Sequence, residues 1–261
     1  MSFKPEYHLI TPIKNYASLQ LAKTKDNMHM FVNLQDEYIS RCILANGEWE
    51  PHIRHIFGML VKPGDVVLDI GANIGTHTLF LSKLTGETGK LIAFEPCKIN
   101  HDILVINCTL NRCSNVEVLK YGVGEKPGTM FIESKWNKTD QVQNYGCVVL
   151  QTSSTSEADE CIHIMNLDSM HLPRVNVVKI DAENMEDQVL LGMKETIERC
   201  KPLIVVEIHD TDMHKVKPII DSLNYELIFV GGIDFLAKPK GIPLKAPELK
   251  QGVDYFIGEG N

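Results

Sequence analysis

Carboxylates close several of the chain's apolar runs, and their spacing indicates what they could bind. Val66, Val67 and Leu68 lead into Asp69, and Gly71 and Gly75 follow at once. Glycine lets a chain turn tightly and brings its backbone close to a ligand with no Cβ between. Glu95 stands 20 residues after Gly75, at the end of the next apolar run. An acidic group there is placed to accept the hydroxyls of a ribose. A helix starting at Thr76 would aim its positive end at the same loop.

The turn reads G-x-x-x-G, with Asn73 where a dinucleotide fingerprint has its second glycine. Asp69 would repel a pyrophosphate and attract an ammonium or a sulfonium. No Y-x-x-x-K pair for short-chain dehydrogenase chemistry occurs. S-adenosylmethionine, with a ribose, an ammonium and a sulfonium but no phosphate, fits this pattern better than NAD. The donor-binding set expected is Asp69, Gly71, Ala72, Asn73, Gly75, Thr76, Glu95, Pro96, Gly122, Val123 and Asp181. An NAD-dependent oxidoreductase and a non-catalytic binding module are the alternatives from other classes.

Two further constellations could act on a bound molecule. Asp181, Glu183 and Glu186 follow a short apolar run, with Glu186 suited to a helix's first turn. Glu207 and His209 share one side of a strand by alternation. An unperturbed histidine titrates near neutrality, so His209 is the natural general base, with Asp181 and Glu207 as carboxylate alternatives. A charged Glu207 in an apolar strand costs stability unless it is paired or liganded. A metal-assisted variant would place a divalent ion on Asp181, Glu183, Glu207 and His209. No ligand spacing there is diagnostic, so no metal is expected. Trp49, Trp136 and the Asn144-Tyr145-Gly146 turn are weaker candidates for a pocket wall.

These residues need a scaffold that brings strand ends together. From residue 65 onward, strands and helices alternate: strands at 66–68, 90–94, 116–119, 176–180 and 203–208, with helices at 76–84, 99–110 and 186–200 between them. That alternation predicts an α/β fold with a doubly wound, mostly parallel sheet. Ile99, Ile103, Ile106 and Leu110 are read as one helix face, and Gly122 to Gly124 as the close of the third strand. Strand-like pieces at 129–133, 147–151 and 161–164 make residues 128–165 a β-rich insertion. Residues 1–60 read as a small extension, with strands within 19–33 and 38–44 and a helix over 50–61. Pro218 either starts or kinks a helix carrying Val216, Ile219, Ile220 and Leu223. Strands at 225–230 and 234–237 close the main domain, 61–240. The tail, 241–261, adds an edge strand at 253–257.

With 261 residues and a hydrophobic fraction of 44%, the chain can bury a full α/β core. The net charge of −8 argues against broad phosphate-backbone binding, so nucleic acid is not an expected partner. No apolar run reaches the ~18 residues of a spanning helix, and none is expected to enter a membrane. MSFKPEYHLI at the start does not read as a secretion signal. The seven cysteines form no C-x-x-C pair, which suits reduced thiols in the cytoplasm rather than a disulfide framework.

Several short motifs, in order, resemble the FkbM family of S-adenosylmethionine-dependent methyltransferases. They are G-E-W-E-P at 47–51, V-V-L-D-I-G-A-N-I-G at 66–75, A-F-E-P at 93–96, the pair Asn107 and Asn111, G-V-G-E at 122–125, L-D-S at 167–169, V-K-I-D-A-E-N-M-E at 178–186 and P-L-I-V-V-E-I-H at 202–209. The resemblance implies a class I methyltransferase (Rossmann-like) fold whose seven-stranded sheet has an antiparallel last strand. It also implies methylation, usually of oxygen, with sugars and polyketide-type products among family substrates. Two positions depart from the family: Asn184 replaces its usual glycine and Glu125 its more usual aspartate. Asparagine tolerates the left-handed backbone better than most residues. The expectation is methyl transfer from S-adenosyl-L-methionine to a hydroxyl of a glycan or related small molecule, leaving S-adenosyl-L-homocysteine. The alternative keeps the chemistry, with metal assistance, on another small metabolite or an RNA ribose. Asp69 and the Gly71–Gly75 loop would hold the donor's amino-acid part, Glu95 its ribose, and Gly122 and Val123 its adenine.

Overall fold

The computed structural model describes residues 18–137 and 142–243. It opens with strands β1 (Leu19–Lys23) and β2 (His29–Asn33), paired antiparallel, then helices α1 (Ile39–Asn46) and α2 (Pro51–Leu60). Next come β3 (Val66–Ile70), α3 (Thr76–Thr85), β4 (Lys90–Phe94), α4 (Lys98–Leu110) and β5 (Val116–Leu119). A side sheet follows, of β6 (Gly122–Val123), β7 (Gly128–Ile132) and β8 (Glu160–Met165). The chain then returns through β9 (Val177–Ile180), α5 (Glu186–Gly192), α6 (Lys194–Cys200), β10 (Leu203–Glu207) and α7 (Met213–Ser222). It closes with β11 (Tyr225–Gly231) and β12 (Asp234–Pro239).

Seven strands form the main sheet in the order β11-β12-β10-β9-β3-β4-β5, and β12 runs antiparallel to both its neighbours. This is the expected sheet with its last strand reversed. β3 lies between β4 and β9, so the connections leave it in opposite directions. Such a reversal opens a crevice at the carboxyl ends of the strands. The strands beside it are apolar because helices cover both faces. Leu68, Ile92, Val178 and Ile204 are wholly buried. Each such side chain contributes roughly 1.5–3 kcal/mol.

The pair Asn107 and Asn111 gains a structural meaning. Asn107 accepts from the Phe31 N–H at 2.6 Å and donates to the Phe31 and Ile74 carbonyls at 3.0 and 2.8 Å. Asn111, one turn on, accepts from the His29 N–H at 3.0 Å. Two side-chain amides, one on α4 and one at its C-cap, thus satisfy backbone groups of β2, as a neighbouring strand would. Met30, Val32, Ile39 and Ile43 share a buried cluster with Ile74, Leu79 and Ile103.

Several elements differ from the sequence expectation. The strand expected within 38–44 is instead helix α1 from Ile39 on, because Ile39 and Ile43 bury one of its faces and Gly47 ends it in the left-handed region. The 186–200 helix is two, broken at Met193, whose φ of −126° is not helical. Residues 147–151 contribute only an isolated bridge from Gln151 to Phe131. Gly122–Val123 does not extend β5 but pairs with β8 in the side sheet. On α4 the buried stripe is Ile99, Asn100, Ile103, Leu104, Asn107 and Cys108, and Leu110 is exposed. Pro218 sits inside α7. The edge strand expected at 253–257 lies outside the described residues.

Candidate active site

β3 ends in the glycine turn, which folds against the end of β4. The N–H groups of Gly71 and Ala72 both reach the Phe94 carbonyl at 3.0 Å. Gly71 has φ +77°, and a Cβ there would lie 1.7 Å from the Asp181 carbonyl oxygen. Only glycine fits this crossing of two backbones. Asn73 is left-handed at φ +50°, and its N–H donates to Glu95 at 2.8 Å. The other Glu95 oxygen accepts from the Cys97 N–H at 2.9 Å. Burial outweighs both bonds and pushes the Glu95 carboxyl up to about 7.

Above this turn is a cavity of about 420 Å³. That volume falls within the usual range for a small-molecule site. Gly71, Asn73, Glu95, Pro96, Gly122, Val123, Asp181 and Glu207 all line it, as does Glu183. The loop at 144–150 forms another wall. The Tyr145 carbonyl is pinned there by the side-chain amides of Asn73 and Asn100, at 3.2 and 3.1 Å.

Other predicted residues do not reach the wall. Asp69 is fully buried beneath it, accepting from Thr78 Oγ1 at 2.6 Å, with Lys179 Nζ at 3.8 Å. Its last position but one in β3 sends its side chain toward α3 rather than into the crevice. Ala72 and Thr76 are buried, and Gly75 (φ +93°) packs where a Cβ would meet Leu104. His209 stands outside, its side chain 43% exposed and its Nε2 3.6 Å from Glu207.

Lys179, Glu50 and Trp49 complete the arrangement. Lys179, buried in β9, donates to the Gly71 carbonyl at 3.1 Å and to Asp181 at 3.0 Å, tying the glycine turn to the end of the neighbouring strand. Burial alone would lower its ammonium, but Asp181 and Asp69 hold it above the ordinary range. Glu50 precedes α2 with a left-handed backbone (φ +45°) and pairs with His77 Nε2 at 2.8 Å. Despite burial, His77 holds the Glu50 carboxyl below its ordinary value. Sequence reasoning assigned Glu50 and Lys179 no role. The signals available were the G-E-W-E-P and V-K-I-D motifs themselves. Trp49, a weak candidate there, lines the cavity, whereas Trp136 stacks edge-on against Tyr145.

The turn after β9 tolerates its unusual residue. Glu183 and Asn184 are both left-handed, at φ +47° and +71°. Glu186 closes that turn by accepting from the Ala182 N–H at 3.0 Å. Burial, then the Asp181 charge, push Glu183 up to about 7. The same two causes, with Asp234, Glu50 and Glu183 adding to them, push Glu207 to about 9. Among the described residues, no group of three or more His, Cys, Asp or Glu side chains is arranged to hold a metal ion. None of their helices is long and apolar enough to cross a membrane.

Residues 69–227 match the model of the methyltransferase FkbM domain, which spans the glycine turn, Glu95 and the β9 and β10 ends. The chain belongs to the FkbM methyltransferase family. Its sheet is that of the class I methyltransferases. It is 32% identical over 148 residues to the hexuronic acid methyltransferase AglP of Haloferax volcanii, covering 56% of each chain. It is 25% identical over 189 residues to the 31-O-demethyl-FK506 methyltransferase FkbM of Streptomyces tacrolimicus, covering 62% of this chain and 71% of that one. A crystal structure of methyltransferase FkbM from Methylobacillus flagellatus is 17% identical with a TM-score of 0.48, covering 71% of this chain and 50% of that one.

Proposed function

We propose that this protein transfers a methyl group from S-adenosyl-L-methionine to a hydroxyl of a carbohydrate or related small molecule. The observation that carries this reading is Glu95. It is buried, fixed by two backbone N–H groups, and set in a cavity wall beside a glycine turn. The residues fit the donor's chemistry. Glu95 accepts ribose hydroxyls, Gly122 and Val123 flank the adenine, and Gly71, Asn73 and Asp181 receive the amino-acid end. Asp69 supports that end from below, through Lys179 and Thr78. The donor brings a methyl on a sulfonium: the acceptor oxygen gains it, the C–S bond breaks, the acceptor proton passes to a base, and neutral S-adenosyl-L-homocysteine leaves.

The chain's own work is alignment and proton removal. Holding two reactants in line can supply roughly 7–11 kcal/mol of such a barrier. Glu207 is the base of choice, because it lines the cavity and His209 does not. His209 stands outside the cavity, its Nε2 3.6 Å from Glu207. The reading in AglP's name, a hexuronic acid acceptor, supports carbohydrate as the class. The test is tritiated-methyl transfer from S-adenosyl-L-methionine to a panel of mono- and oligosaccharides. Label on a sugar oxygen supports the reading, and label confined to non-sugar acceptors overturns the carbohydrate half of it.

A further inference from the structure

The cavity is lined by four carboxylates besides Glu95. They are Glu50, Asp181, Glu183 and Glu207, and Asp234 joins Glu50, Asp181 and Glu207 around a second, smaller hollow. The bases nearby are already engaged. Lys179 is bonded to Asp181 and faces Asp69. His77 is bonded to Glu50, and His52 to Asp234 at 2.8 Å. A bound donor would add a sulfonium and an ammonium against one carboxylate, one net positive charge. Asp181 stands nearest the glycine turn that would hold its ammonium. Glu183 then has the Cys147 thiol as its hydrogen-bond partner and Glu207 the partly exposed His209 at 3.6 Å, and neither is paired with a lysine or arginine. Burial first, and then the neighbouring carboxylates with Asp181 foremost, raise their proton affinities. Trp49 and the half-exposed Tyr38 also line the cavity, offering aromatic faces of the kind that receive cations or sugar rings.

Resting on the methyltransferase reading, we infer that the acceptor is a hydroxyl compound carrying a protonated amine, received by Glu183 and Glu207 beside Trp49. An ammonium there replaces the protons these carboxylates would otherwise hold, and so leaves Glu207 ionised to act as base. A uronate would instead bring a sixth carboxylate into a wall that already holds five, Glu95 included. On this point the chain's specificity departs from that in AglP's name, a relative with which it aligns over 56% of either length.

The experiment is calorimetric binding to the full chain. S-adenosyl-L-homocysteine is titrated first, then glucosamine, glucose and glucuronate in separate runs on the saturated protein. Two unit charges a few ångströms apart at a half-buried site interact strongly enough for about a tenfold preference or more. Glucosamine is therefore expected to bind at least about tenfold tighter than glucose, with glucuronate weakest. Glu183→Gln is expected to shrink the glucosamine advantage severalfold while leaving S-adenosyl-L-homocysteine binding intact, which shows that the variant is folded. Equal affinities, tighter glucuronate, or no glucosamine binding at about 10 mM would each overturn the inference. Failure of the first titration would instead remove the methyltransferase reading beneath it.

Discussion

Glu207→Gln separates the cost of the site from its use. In the folded chain burial and the surrounding carboxylates, Asp181 first, raise Glu207 from 4.5 to about 9. The folded chain therefore keeps a proton that the unfolded chain releases near its ordinary value. The sign follows from that difference: this stability is fully present below the unfolded pKa and is lost as pH rises through the folded one. Each pH unit within the window removes up to ~1.4 kcal/mol, so that roughly 3 kcal/mol is gone by neutrality. Glutamine keeps the size of the side chain and carries no charge to desolvate. For a domain of this length about 1 kcal/mol moves Tm by about 2–4 °C. The variant should melt roughly 5 °C or more above the native protein near pH 7 to 8, and almost level with it near pH 5. Thermal melts of both proteins across that pH range, without ligand, make the measurement. An advantage independent of pH, or a variant that melts lower at the alkaline end, would refute the reasoning.

Three further outcomes are expected. Glu95→Gln should weaken S-adenosyl-L-homocysteine by about 10- to 100-fold in a direct titration, since hydrogen bonds to a charged group are worth ~1.5–3 kcal/mol. Gly71→Ala meets the Asp181 carbonyl at 1.7 Å with φ +77°, so it should lower Tm sharply and abolish that binding together. His209→Asn should change kcat/KM by only about threefold, against a loss of ~10²–10⁴ for Glu207→Gln, if Glu207 is the base. The order reverses if His209 takes the proton.

The main sheet was legible because its strands are short apolar runs closed by carboxylates and glycines, and the helices between them have room for three turns. Lys90–Phe94 and Val116–Leu119 fall where the pattern places them. The extension was less legible. The periodicity of residues 38–44 is ambiguous over so short a run, and burial of Ile39 and Ile43 against Tyr145 and the main core decides for helix. At the site, Gly71, Glu95 and Asp181 could be read from strand ends because each sits where a buried run meets the crevice. Asp69 misleads at the same place. It lies one residue short of the end of β3, and the strand's alternation turns it under the turn, where Thr78 donates to one of its oxygens. Glu50 and Trp49 are more than a hundred residues from the β9 end that they face, so only the folded chain brings them together. The Asn144-Tyr145-Gly146 wall depends on amides from Asn73 and Asn100, a pairing no local pattern encodes.

The most direct measurement is a calorimetric titration of the native chain with S-adenosyl-L-homocysteine, run in parallel with NADH and repeated on Glu95→Gln. The account predicts one S-adenosyl-L-homocysteine bound per chain, no heat from NADH, and a large loss of affinity in the variant. Binding of NADH in place of S-adenosyl-L-homocysteine, or S-adenosyl-L-homocysteine affinity unmoved by the loss of the Glu95 charge, would contradict it.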